Sequence, residues 1–156
     1  MEARAAQGTS TSGTRRLAWG AVLGLVAAVV GIAAWLVLVA AIGRQVSLPA
    51  VGVGLLVGGG VILGSRGARG WQAQTLSVTL TLLAMVCAEY LIFRQQAVIE
   101  LAQEGITNVP LLLPAHDSLA LVGESLQAYP LTIAFWAFAL YYAHRVSAPR
   151  PVRARG

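Results

Sequence analysis

Lysine is absent from this chain of 156 residues, cysteine occurs once, and charged residues make up only 11% of it. Each scarcity excludes a class of protein. A single cysteine, Cys87, allows neither an internal disulfide nor a cysteine-based metal site, and its position in an apolar run predicts a small core residue. So few charges beside 57% hydrophobic residues do not match a water-soluble domain. The G-x-S-x-G, H-E-x-x-H and phosphate-binding Gly-Lys patterns are also missing, so a non-enzyme without cofactor is expected. His116, beside Asp117, has no partner at metal-ligand spacing, and no metal site is expected. The eleven basic residues, all arginine, lie mostly in the tails and one short loop, without a basic amphipathic helix or interleaved aromatics. That pattern argues against nucleic acid and for membrane topology.

What the chain has is apolar runs. Leu17 to Ile42 is uncharged and longer than the roughly 20 residues that cross a hydrocarbon core. The preceding pair, Arg15 and Arg16, also suits an export signal, but the run exceeds the apolar length typical of one, so a retained anchor is favoured. Pro49 suits the first turn of a second helix, residues 49–64, in which glycine is tolerated because a backbone in lipid must satisfy its own hydrogen bonds. A glycine- and arginine-containing turn and the interfacial Trp71 lead to a third helix, residues 75–93, closed by Arg94.

Residues 95–129 then change character. Gln95 to Glu104 suits about three helical turns ended by Gly105, and Ser118 to Gln127 suits a second short amphipathic helix lying along the membrane surface. A fourth helix, residues 130–146, begins at Pro130, with Tyr129, Trp136, Tyr141 and Tyr142 as amphipathic anchors near its ends or interfaces. Residues 1–14 and 147–156 read as irregular cytoplasmic tails. The expected fold is therefore all-α: a transmembrane domain over 15–146 with four spanning helices and an amphipathic outer loop between the third and fourth.

Arginine sets the orientation. Arg4, Arg15, Arg16, Arg66, Arg69, Arg145, Arg150, Arg153 and Arg155 fall on one side, and only Arg44 and Arg94 on the other. Both termini are expected in the cytoplasm. Arginine without lysine, in a chain rich in Ala, Gly and Val, suggests a GC-rich bacterial genome and thus a multi-pass protein of the inner (cytoplasmic) membrane.

Glycines recur at helix-face spacing: Gly20, Gly24 and Gly31 in the first helix, and Gly54, Gly58, Gly60 and Gly64 in the second. Small residues at this spacing let backbones approach. They either pack the chain's own helices or form an oligomer interface or substrate path. In the third helix Ser77, Thr81, Ala84 and Ala88 form a matching row, with hydroxyls able to bond across or back to their own helix. Glu89 is the one ionisable residue inside a span, which makes it a candidate intramembrane site together with Ser77 and Thr81. The alternative is a structural ion pair with Arg44 or Arg94, or a carboxylate snorkelling to the nearby interface.

The segment LPAVGVGLLVGGGVILGSRGARGWQAQTLSVTLTLL resembles a glycine-rich helix hairpin of uncharacterised small bacterial membrane proteins. The resemblance extends over about residues 41–146, to an amphipathic loop and a last helix ending in an aromatic-Ala-basic pattern, here Tyr141 to Arg145. It implies architecture. The zinc-ribbon-like module that precedes the helices in that group has no counterpart in Met1 to Thr14, which lacks cysteine. The small multidrug-type transporters also have four helices, but their acidic residue resembles a site in the first helix, which here is uncharged.

The leading functional expectation is a non-enzymatic subunit of the lipid bilayer, a homo-oligomer or part of a larger membrane complex, associating through its small-residue faces. The alternative is a small transporter or channel using Glu89. A third is a surface role for the 95–127 segment.

Overall fold

The computed structural model describes residues 2–43, 48–103, 105, 120, 123, 127 and 130–149, and among these the chain is all-helical. Four helices follow one another: α1 (Glu2–Ile42), α2 (Pro49–Gly64), α3 (Trp71–Gln103) and α4 (Pro130–Ser147). The bounds of α2 and α4 agree with their proline starts. Arg44, His116 and most of the expected amphipathic loop beyond Gln103 lie outside the described residues.

Two helices run further than the hydropathy pattern implies. α1 starts at Glu2 instead of after residue 14. The early residues contain no proline, and a helix already nucleated downstream extends through them at little cost. Likewise α3 begins at Trp71, directly after Gly70 at φ 151°, and passes through Arg94 to Gln103. A lone arginine followed by good helix formers is no stop signal. The stop is Gly105, whose φ of 84° ends the helix through a bond from its N–H to the Ala102 carbonyl.

The α2–α3 turn is closed by a left-handed cap. Arg66 and Gly67 take φ of 55° and 79°, and Gly67 N–H donates back to the Ile62 carbonyl at 2.8 Å. Ser65, fully buried, donates its hydroxyl towards the Ile62 or Ala68 carbonyl, each 3.2 Å away.

Glycine then sets how the helices pair. A Cβ at Gly24 would stand 2.6 Å from Val61 Cγ2, one at Gly31 3.2 Å from Val53 Cγ2, and one at Gly60 2.7 Å from the Leu23 carbonyl. Rising positions on α1 thus meet falling positions on α2, and the pair is antiparallel. Gly54 faces Ala139 and Gly58 faces Ala143, so α2 and α4 run parallel. Among the described residues α2 and α3 each touch the other three helices, whereas α1 and α4 do not touch each other. The bundle is up-down-up-down with α2 and α3 in the middle. Its core gathers Trp35, Val53, Val57, Met85, Ala88, Ile92 and Ala139.

Gly13–Ile42 and Trp71–Gln103 are long and apolar enough to cross a membrane, and Pro49–Gly64 is a shorter apolar helix. Only 17% of the first window is buried, so Leu25, Val26, Val29 and Val30 face outward. Cys87 is also exposed, which corrects the expectation of a core residue. In α3 it lies beside the exposed Leu83, away from the packed Ala84–Met85–Ala88 face.

Candidate functional site

The polar residues of α3 recur every four positions and therefore share a face. Ser77, Thr81 and Glu89 are each wholly buried, with Met85 filling the turn between Thr81 and Glu89. α4 presents a complementary row. Thr132, Ala139, Ala143 and Ser147 are wholly buried, and Trp136 packs against the core that holds Ala88 and Ile92. Ala139 and Ala143 admit α2 closely at Gly54 and Gly58, while Ser147 meets α3 at Ser77.

One end of this seam is fixed by a hydrogen bond between the hydroxyls of Ser77 and Ser147 at 2.6 Å. Each hydroxyl also reaches its own helix, Ser77 to the Ala73 carbonyl at 2.8 Å and Ser147 to the Ala143 carbonyl at 3.0 Å. Beside them Arg69 Nη1 donates to the carbonyls of Val146 and Ala148, at 2.7 and 3.2 Å, and so caps the C-terminal end of α4. Of the two fates open to the Ser77 hydroxyl, both are realised, and the cross-helix bond goes to α4.

At 1.5 Å per residue Glu89 lies about 18 Å along α3 from Ser77, and Trp136 about 17 Å back along antiparallel α4 from Ser147. The two stand at one level, with Thr132 about one turn further out. Glu89 Oε1, Trp136 Nε1 and Thr81 Oγ1 are buried atoms without a hydrogen bond among the described residues. Glu89 is nevertheless engaged, as are Thr132, Arg94, Tyr90 and Trp35. Its complete burial separates it from a carboxylate snorkelling to solvent. Arg94 is half-buried and follows on the same helix, while Arg44, the other expected partner, lies outside the described residues.

The seam therefore joins Glu89, Ser77 and Thr81 to three α4 residues with no assigned site role in the sequence, Thr132, Trp136 and Ser147. Their signal was the spacing of Thr132, Trp136, Ala143 and Ser147, which repeats the α3 stripe. Trp136 was expected as an interfacial anchor, but its indole N–H is buried. Among the described residues the surface aromatics are Trp19, Trp71, Phe138 and the edge-packed pair Tyr141 and Tyr142, whose rings lie 5.6 Å apart.

The seven glycines of the small-residue rows all meet neighbouring helices of the same chain: Gly20, Gly24 and Gly31 against α2, Gly54 and Gly58 against α4, Gly60 and Gly64 against α1. Among the described residues no group of three His, Cys, Asp or Glu side chains gathers to hold a metal ion. Comparison with protein-family models, curated proteins and solved structures finds no match to this chain.

Proposed function

We propose that this chain is a four-span protein of a bacterial cytoplasmic membrane, both termini inside, whose working group is the carboxyl of Glu89, exchanging a proton or small cation within the bundle. The observation that carries this reading is the complete burial of Glu89 in a helix of spanning length, at the level of Trp136 along the bundle. An ionisable group at membrane depth is costly, and function is its usual reason.

Support for four spans comes from the common packing of the helices. α1 meets α2 from Gly20 to Gly31, which supports a retained helix. At about 24 Å, α2 is shorter than a hydrocarbon core of about 30 Å, but three neighbours flank it. α4 is held to α2 and α3 over its length. With this topology Arg15, Arg16, Arg66, Arg69 and Arg145 share one end of the bundle, in keeping with the positive-inside rule.

The competing reading is a non-enzymatic accessory or oligomeric subunit that associates through the glycine rows. Those rows are occupied within the chain, so such a contact would fall instead to the exposed apolar side of α1.

The test is carboxyl labelling of the purified protein in lipid, with an apolar and a water-soluble carbodiimide across pH and the modified peptide mapped. The proposal expects Glu89 to react with the apolar reagent in a pH-dependent way, to resist the water-soluble one, and to lose the adduct in Glu89→Gln. Reaction with the water-soluble reagent like any surface carboxylate would remove the intramembrane site. Failure of either reagent at every pH would favour a permanently held structural carboxyl.

A further inference from the structure

The arginine-rich end of the bundle carries a groove that the Glu89 site does not use. α1 contributes Gly13, Arg16 and Leu17, the α2–α3 turn contributes Ala68, Arg69 and Gly70, and α3 closes it with its first turn. Its volume is about 280 Å³. Among the described residues no acidic side chain lines it, and the first turn of α3 contains none. Two guanidinium groups thus share a concave site with no anion among its described lining.

Arg69 is oriented before any ligand arrives, because one of its nitrogens is tied to the Val146 and Ala148 carbonyls. Arg16 is exposed on the opposite wall. Trp71, also in the lining, is three-quarters exposed, and an outward-facing tryptophan at a helix end marks the headgroup level of a bilayer. Outside the groove the α1 surface turns apolar at once, with Val22, Leu25 and Val26 exposed. Cations at headgroup level above an apolar wall match a molecule with an anionic head and acyl tails.

We infer that this groove binds the phosphate headgroup of an anionic phospholipid from the cytoplasmic leaflet, between Arg16 and Arg69. The inference rests on the membrane-spanning reading but not on any role for Glu89. A helix bundle that grips an anionic lipid here would have α1 and α3 clasped at their cytoplasmic ends.

The experiment is native mass spectrometry of the full chain released from nanodiscs of mixed phosphatidylglycerol and phosphatidylcholine, comparing wild type with Arg16→Gln and Arg66→Gln. Arg66 is the control, because it lies in the same turn but lines a separate groove with Trp19, Leu23, Leu63 and Gly64. One phosphatidylglycerol should be retained in preference to phosphatidylcholine. Arg16→Gln should lower that retention about fivefold, the worth of one basic residue at an anionic surface, while Arg66→Gln leaves it within twofold. Equal retention of the two lipids, or equal losses in the two variants, overturns the site and leaves only diffuse surface charge. Displacement of the lipid by millimolar inorganic phosphate assigns the groove to the free anion and overturns the lipid. A chain recovered from cells in the soluble fraction, not the carbonate-resistant membrane, refutes the spanning reading itself, which separates the two failures.

Discussion

The hydroxyls of Ser77 and Ser147 lie 2.6 Å apart, and together they have two protons for three acceptor contacts. Whichever serine donates across the seam gives up its bond to its own helix. α3 and α4 are therefore joined at the arginine-rich end by a bond that can reverse direction without moving a heavy atom. At the other end the seam holds Glu89, Trp136 and Thr132, with Glu89 and Thr132 both engaged.

Replacing either serine by alanine should destabilise the bundle modestly, since a cross-helix bond in lipid contributes about 0.6 kcal/mol on average. The double replacement should cost less than the two single costs combined, because each single variant still leaves the other hydroxyl its own helical carbonyl. Unfolding in mixed micelles, analysed as a double-mutant cycle, reads this directly. Fully additive costs would mean that the two serines act separately.

The glycines of α2 divide into two sets. A Cβ at Gly64 would collide with the Trp19 carbonyl and one at Gly54 with that of Ala139, whereas one at Gly52 or Gly59 would meet nothing within 4 Å. Gly64→Ala and Gly54→Ala should each cost about 1–3 kcal/mol through forced separation of the helices. Gly52→Ala should be neutral or stabilise by up to about 1 kcal/mol. A thermal melt in detergent distinguishes them, and equal effects at Gly52 and Gly64 would contradict the pairing of α1 with α2.

Trp136 offers a sharper test of the Glu89 site than Glu89 itself. Its indole N–H is buried without a hydrogen bond among the described residues, a situation that costs about 1–3 kcal/mol. Phenylalanine keeps an aromatic ring and removes that burden, so Trp136→Phe should hold or raise stability. If the indole serves a cation or proton at Glu89, the same variant should change the rate at which the apolar carbodiimide labels that carboxyl. Unchanged stability with unchanged labelling would leave Trp136 as packing alone.

How far the sequence disclosed this arrangement depended on the kind of signal. Pro49 and Pro130 marked two helix starts, because a missing N–H is harmless only in a first turn. The ends of α3 were hidden, because Arg94 interrupts an apolar run without interrupting a helix, and hydropathy registers only the former. Glu89 was legible as a carboxyl within an apolar helix, but the sequence did not separate a buried group from one paired or snorkelled at the nearby interface. Its α4 neighbours were not legible, since the level that brings Trp136 to Glu89 depends on the register of two helices separated by the 104–129 connection. Cys87 was misread for a related reason: in lipid the outer face of a helix is as apolar as the inner one, so composition does not tell them apart.

Arg69 links the turn after α2 to the end of α4 through two carbonyls that have no partner further along their own helix. Hydrogen bonds from a charged donor contribute about 1.5–3 kcal/mol each when buried, and less at this half-exposed site. Arg69→Gln should thus loosen the last turn of α4, seen as faster amide hydrogen exchange at Arg145 to Ala148. Arg69→Lys should recover the effect in part, since an ammonium supplies charge but not the planar fork. Unaltered exchange in the glutamine variant would show that α4 ends without help from the turn.

The orientation of the bundle is open to direct labelling, because the helix order puts Gly13 and Pro149 at one end and Gln103 at the other, all three exposed. The lone native cysteine lies on the apolar exterior and can be replaced by alanine without disturbing the core. Single cysteines at the three positions should then react with a membrane-impermeant maleimide from opposite sides. Those at 13 and 149 should label in inverted membrane vesicles, and the one at 103 in intact spheroplasts, as an excess of arginine on the cytoplasmic side requires. Labelling of 13 and 149 from different sides would mean that an odd number of helices crosses the bilayer. Since α2 is the shortest of the four, it would be the first to lose its place as a span, and Arg66, Arg69 and Arg145 would then lie on the outer side, against the positive-inside rule.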